Sequence, residues 1–146
     1  MPPSAVKRAL SRDQVSPAKP PLADFAPDPY NSNCPTRLLL DRIGDKWTVL
    51  VLLLLRDRAV RFNALRRSIA GVTQKMLSQT LKGLERDGLV SRTVIPVSPV
   101  AVEYALTPLG QTLVSTIDAL HHWARAHIGE VSKAQARYDE AGVPFA

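Results

Sequence analysis

The chain has 146 residues, 45% of them hydrophobic, and 19 Lys and Arg against 13 Asp and Glu, for a formal net charge of +6. That is one ordinary domain with tails, large enough for a real core, and its longest apolar run, the seven residues Val49 to Leu55, is far short of the roughly 20 that span a bilayer. The single cysteine, Cys34, excludes an internal disulfide framework and cannot by itself hold a structural zinc.

Residues 1–33 hold seven of the twelve prolines and few large apolar side chains. Such a segment buries too little surface to offset its ordering entropy, so the reading is a mobile arm, able to touch DNA or a partner subunit. No apolar stretch of useful length follows Lys7 and Arg8, so no secretory signal is visible and a cytoplasmic location is expected. Order is expected from Cys34-Pro35, since a proline in the first turn lacks only an N–H that would be unpaired anyway. That helix should run to about Ile43 and end at Gly44. Asp45 can cap the next helix, whose residues Trp47 to Leu55 are apolar on nearly every side, a pattern that predicts burial all round. Val60-Arg61-Phe62 suits a very short strand, and Asn63 to Ile69 a third helix closed by Gly71.

Thr73 then caps an amphipathic helix through Asp87, which Gly88 terminates. Leu77, Leu81 and Leu84 fall at i, i+4 and i+7 and form a core-facing stripe. Opposite them stand Lys75, Ser78, Gln79, Lys82 and Arg86, all polar and none acidic, the side chains that reach base edges and phosphates in a major groove. Leu89–Ile95 and Val102–Leu106 read as strands joined by Pro96-Val97-Ser98-Pro99-Val100-Ala101, which is too proline-bearing for a tight turn and predicts a protruding tip. Thr107-Pro108 starts a long helix through Ile128, with Leu113, Ile117, Leu120 and Trp123 or Ala124 on an apolar stripe. The fold class is therefore mainly α with a small β-hairpin, in winged helix-turn-helix order. The expected organisation is an arm over 1–33, the domain over 34–128, and a helical extension or tail over 129–146.

Nine basic and three acidic residues lie between Arg56 and Arg92, so the whole +6 excess sits in 37 residues and the charges elsewhere cancel. Clustered cations are a polyanion footprint, because counterions are released only where phosphates meet several cations together. Charge alone does not separate DNA from RNA or an anionic membrane, and a solvated face would also carry it.

Gln74 and Gln79 can pair bidentately with adenine, Lys75 and Lys82 can reach guanine or phosphate, and Thr73 and Ser78 share that side. Arg61, Asn63, Arg66 and Arg67 belong to the element expected to cross the backbone, which suits phosphate positioning. Arg66 or Arg67 equally suits a structural pairing with Asp87 or Glu85. The wing offers Arg92 and Ser98. Trp47 is read as core, Tyr104 as inward and Glu103 as outward.

Cys34 stands at a helix N-terminus with Arg37 one turn away, a setting that favours the thiolate and hence oxidation or alkylation. An inert cysteine filling space is the competing account. His121, His122 and His127 are not spaced to present two rings on one helix face, so no metal site is read. No phosphate loop, nucleophile elbow or convergent acid-base pair supports an enzyme, and no cofactor is implied.

Several strings in order are similar to one family: Cys34-Pro35; Asp41-Arg42-Ile43-Gly44-Asp45-Lys46-Trp47; Arg61-Phe62-Asn63; Gln74-Lys75-Met76-Leu77; Leu84-Glu85-Arg86-Asp87-Gly88-Leu89-Val90; Val102-Glu103-Tyr104; and Leu106-Thr107-Pro108-Leu109-Gly110. Over residues 34 to 125 they resemble the HxlR-type winged helix-turn-helix transcriptional regulators. The resemblance implies a homodimer, paired through its first and last helices, on an inverted-repeat operator in double-stranded DNA. It also implies that some members respond to electrophiles or oxidants through a cysteine placed where Cys34 stands. One departure is Ala101, where members often carry Arg or Lys; with no cation at the wing tip, the wing's phosphate or minor-groove contact is weaker or is taken over by Arg92. The competing class is a winged-helix interaction module whose basic face meets an acidic protein.

Overall fold

The computed structural model describes residues 28–142. The expected arm lies outside the described residues as far as residue 27, and so does the end of the expected tail, 143–146.

The described residues divide between Leu38 and Leu39 into two compact units. In the first, Asp28 Oδ1 accepts from the Tyr30 N–H at 3.1 Å and Asn31 Oδ1 from the Asn33 N–H at 3.0 Å. These short side chains satisfy their own backbone and turn the chain. Cys34 follows, and helix α1 spans Pro35–Ile43, from the first unit into the second.

In the second unit Gly44 closes α1 by donating to Leu40 O at 2.8 Å. Helix α2, Lys46–Leu54, begins where Asp45 Oδ1 accepts from the N–H groups of Trp47 and Thr48 at 2.9 and 3.2 Å. Strand β1 is Val60–Arg61, α3 is Phe62–Ser68 and α4 is Gln74–Arg86, capped by Thr73, whose Oγ1 accepts from the Met76 N–H at 3.1 Å. Strands β2, Val90–Ile95, and β3, Ala101–Leu106, form the wing, and α5 is Pro108–Glu140. The antiparallel sheet has the order β1-β3-β2, with Val60 and Arg92 opposite Tyr104 and with Arg61 and Thr93 opposite Glu103.

The core joins Leu52 of α2 and Leu55 at its C-cap, Leu65 of α3, Leu77, Leu81 and Leu84 of α4, and Ile117 of α5, all fully buried. Each such side chain contributes about 1.5–3 kcal/mol on leaving water, so the leucine stripe of α4 is what seats that helix. Tyr104 is buried on the sheet face it shares with Val60, as strand alternation requires.

One expectation is corrected and one alternative is decided. Helix α2 is not buried all round: Thr48, Val51, Leu52 and Leu55 face inward, while Leu50 on the far side is 40% exposed. Its leucines satisfy a one-sided core, and the continuous apolar sequence overstates how many neighbours it has. Helix α5 spans the 33 residues Pro108–Glu140, so residues 129–140 form the helical extension and not a tail, because an isolated Gly129 lowers helix propensity without ending the helix. Beyond Ile117 no residue of α5 is buried, and Leu120 and Trp123 are 55% and 56% exposed.

Candidate nucleic-acid interface

Helix α4 separates its two faces as its periodicity predicts. Gln74, Lys75, Gln79, Lys82 and Arg86 are exposed and Ser78 is half-buried, while Leu77, Thr80, Leu81 and Leu84 are buried. Its first turn carries no acidic residue, so the positive end of the helix dipole is uncompensated there. Thr73 has a structural role as well as its place on this side, since its hydroxyl accepts the cap bond.

Beside that face an open groove runs between α3, α4 and the wing. Arg61, Asn63, Arg67, Ser78, Lys82, Arg92 and Ser98 line it, joined by Arg58, which sequence reasoning counted in the basic cluster without assigning it a contact. Arg92 turns into the groove because it shares the sheet face of Tyr104, here beyond the edge of the core. Gln74, Lys75, Gln79 and Arg66 are exposed outside the groove lining, and Thr73 with them. The proposed contacts thus fall into a helix face and an adjoining cationic channel. The wing tip itself is apolar, with Val97 and Val100 exposed and Ala101 half-buried. Glu85 and Glu103 also line the groove and moderate its charge.

Asp87 does not pair with Arg66 or Arg67. Its partner is Arg42 of α1, whose Nε donates to Asp87 Oδ2 at 2.7 Å. The pairing was not legible because the two residues stand 45 apart in the chain; the one local signal was Gly83, a glycine inside an otherwise regular helix. Trp47 is half-buried against the core, with the Lys46 ammonium 4.6 Å from its ring centre.

Cys34, in the N-terminal unit, is 5% exposed. The Arg37 main-chain N–H holds its thiol below the ordinary range, burial pushes it up, and backbone groups of Asp28 and Thr36 lower it further. The guanidinium of Arg37 is occupied elsewhere, donating to Tyr30 O at 3.2 Å. The helix start, not the arginine charge, therefore favours the thiolate. His122 meets the Asp118 carboxylate at 3.6 Å and His127 stacks on Trp123 with ring centres 4.8 Å apart.

The model of the HxlR-like helix-turn-helix family matches residues 42–132. The chain belongs to this family. The uncharacterized HTH-type transcriptional regulator YtfH of Escherichia coli K12 is 43% identical over 102 residues, covering 70% of this chain and 81% of that protein. The solved structure of the YtfH regulator from Salmonella typhimurium superposes with a TM-score of 0.73 at 39% identity, over 76% of this chain and 99% of that one. The redox regulator HypR, in its oxidized form, superposes with a TM-score of 0.59 at 39% identity, over 64% of this chain and 96% of that one. As a member of this family the chain is a DNA-binding transcriptional regulator of the helix-turn-helix type, and it is not an enzyme. Among the described residues, no helix is long and apolar enough to cross a membrane.

Proposed function

We propose that the protein acts as a homodimer on an inverted-repeat operator, each subunit inserting residues 74–82 of α4 into one of two major grooves about 34 Å apart. The observation that carries this reading is the division of α4: Gln74, Lys75, Gln79 and Lys82 are exposed while Leu77, Leu81 and Leu84 hold the helix to the core. Gln74, Lys75, Ser78 and Gln79 read base edges, and Lys82 reaches guanine or phosphate. Arg61, Asn63, Arg66 and Arg67 hold the backbone, and Arg92 with Ser98 supplies what the wing contributes. The apolar side of α5, bare beyond Ile117 with Leu120, Trp123, Ile128 and Val131 exposed, supports pairing with a second copy, since one small unit leaves that stripe in water.

Cys34 is proposed as the sensing residue. An electrophile would alkylate its thiolate; an oxidant would take two electrons and two protons from two Cys34 thiols and leave an intersubunit disulfide. A lowered thiol pKa and the likeness to HypR support this. Selection of bound duplexes from a random pool, under reducing and oxidising conditions, tests operator symmetry and sensing together. An enriched palindrome lost on oxidation in the native protein and retained in Cys34→Ser is expected. No enrichment under either condition removes the operator reading, and equal enrichment under both removes the sensing role.

A further inference from the structure

Arg42 lies in the last turn of α1 and carries no DNA contact in the reading above, yet its guanidinium lies against Gly83 of α4. The pair it makes with Asp87 at 2.7 Å is sheltered, the two side chains being 32% and 26% exposed, which favours a directional, charge-assisted hydrogen bond over a loose surface contact. Its path crosses Gly83, one turn before Asp87. A Cβ at position 83 would overlap Nη1 and Cζ of Arg42.

Each member is a poor local choice. Glycine inside a helix is unfavourable, and Asp87, the C-cap of α4, sets a carboxylate at the negative end of the helix dipole. Together they are complementary: the glycine opens a notch, the arginine lies in it, and its charge neutralises the aspartate. Gly83 and Asp87 also extend the i, i+4 row that begins with Lys75 and Gln79, so a guanidinium wedged on that row resists rotation of the helix about its axis.

We propose that Arg42 is a positioning residue for base readout: seated on Gly83 and bonded to Asp87, it sets the rotation of α4 and thereby the angle at which residues 74–82 meet the bases. This rests on the reading of α4 given above.

The decisive variant is Gly83→Ala. It removes no charge and improves helix propensity, so a merely structural role predicts unchanged DNA preference. The full-length native protein, Gly83→Ala, Arg42→Ala and the double variant are titrated with a duplex selected from a random pool and with its scrambled counterpart, over a range of salt. Each single variant is expected to shrink the selected-to-scrambled affinity ratio about tenfold, the order of one misaligned base contact. The double variant loses no more than either single, because both act on one contact. The slope of log affinity against log salt stays unchanged, since no phosphate contact is lost. A native ratio in Gly83→Ala, additive losses in the double variant, or a loss in Arg42→Ala that resides in the salt slope each overturns the proposal. If the native protein itself shows no preference, the readout by α4 has failed, and the positioning role for DNA falls with it. Amide exchange at residues 84–89 then decides the clamp separately: faster exchange in both single variants sustains it and native exchange overturns it.

Discussion

Thr107 Oγ1 donates to Gly88 O at 2.6 Å while the Thr107 main-chain N–H donates to Leu89 O at 3.1 Å. The same hydroxyl accepts from the Gly110 N–H at 3.1 Å, so one threonine caps α5 and fastens its first turn to the chain leaving α4. Gly88 turns with φ of +76°, a conformation open to glycine, and Gly110 lies so close to Leu89 O that a Cβ would overlap it. Helices α4 and α5 are thus joined through the Thr107 hydroxyl and the main-chain atoms of Gly88, Leu89 and Thr107.

Gly110→Ala is expected to destabilise the protein by about 1–3 kcal/mol, the usual cost of overpacking where backbone must move. A lowered urea midpoint with an unchanged slope checks it. Gly129→Ala, where nothing lies within contact of the added carbon, is the control and should stabilise slightly.

Gln79→Ala should relax sequence preference, losing on the order of 1–3 kcal/mol of discrimination at one base position. Arg66→Ala should instead weaken all duplexes alike. Equal loss of specificity from both, measured on single-base operator variants, would contradict the division between helix face and flanking cations.

Arg92→Ala should lower the slope of log affinity against log salt by about 0.9, the value of one phosphate contact. Val100→Lys adds a cation to an uncharged tip and is expected to raise the slope by about the same amount. A tip distant from DNA would leave the slope of Val100→Lys at its native value.

The Arg37 main-chain N–H in the first turn of α1 holds the Cys34 thiol below its ordinary range, against the opposing effect of burial. Alkylation by iodoacetamide should therefore reach half its alkaline limit at a lower pH in the folded protein than in the urea-unfolded chain. A depressed thiol pKa contributes stability above the unfolded thiol's range, and that contribution is lost as pH falls through the folded value. Coincident folded and unfolded alkylation profiles would remove the helix-start effect.

Much of α4 and its surroundings was legible in the sequence because it is local. The leucines of α4 recur at the helical period, Thr73 and Thr107 precede their helices, Asp45 caps α2, and Gly88 follows α4; each depends on neighbours within a turn or two. The alternation of Glu103 and Tyr104 is equally local. The extent of α2's burial was not legible, since seven consecutive apolar residues look alike whether a neighbour covers them or, as at Leu50, does not.

The sequence by itself determined the order of elements, the two faces of α4, the charge concentrated around it and the absence of a cation from the wing tip. Propensity, periodicity and formal charge are properties of adjacent residues, and they survive any uncertainty about packing. Only the tertiary structure decided that Arg92 faces the groove with Arg67 and Lys82, that Arg58 joins them, and that Asp87 belongs to Arg42 across Gly83. Those relations join residues far apart in the chain, where pairing is set by which surfaces the buried leucines bring within reach.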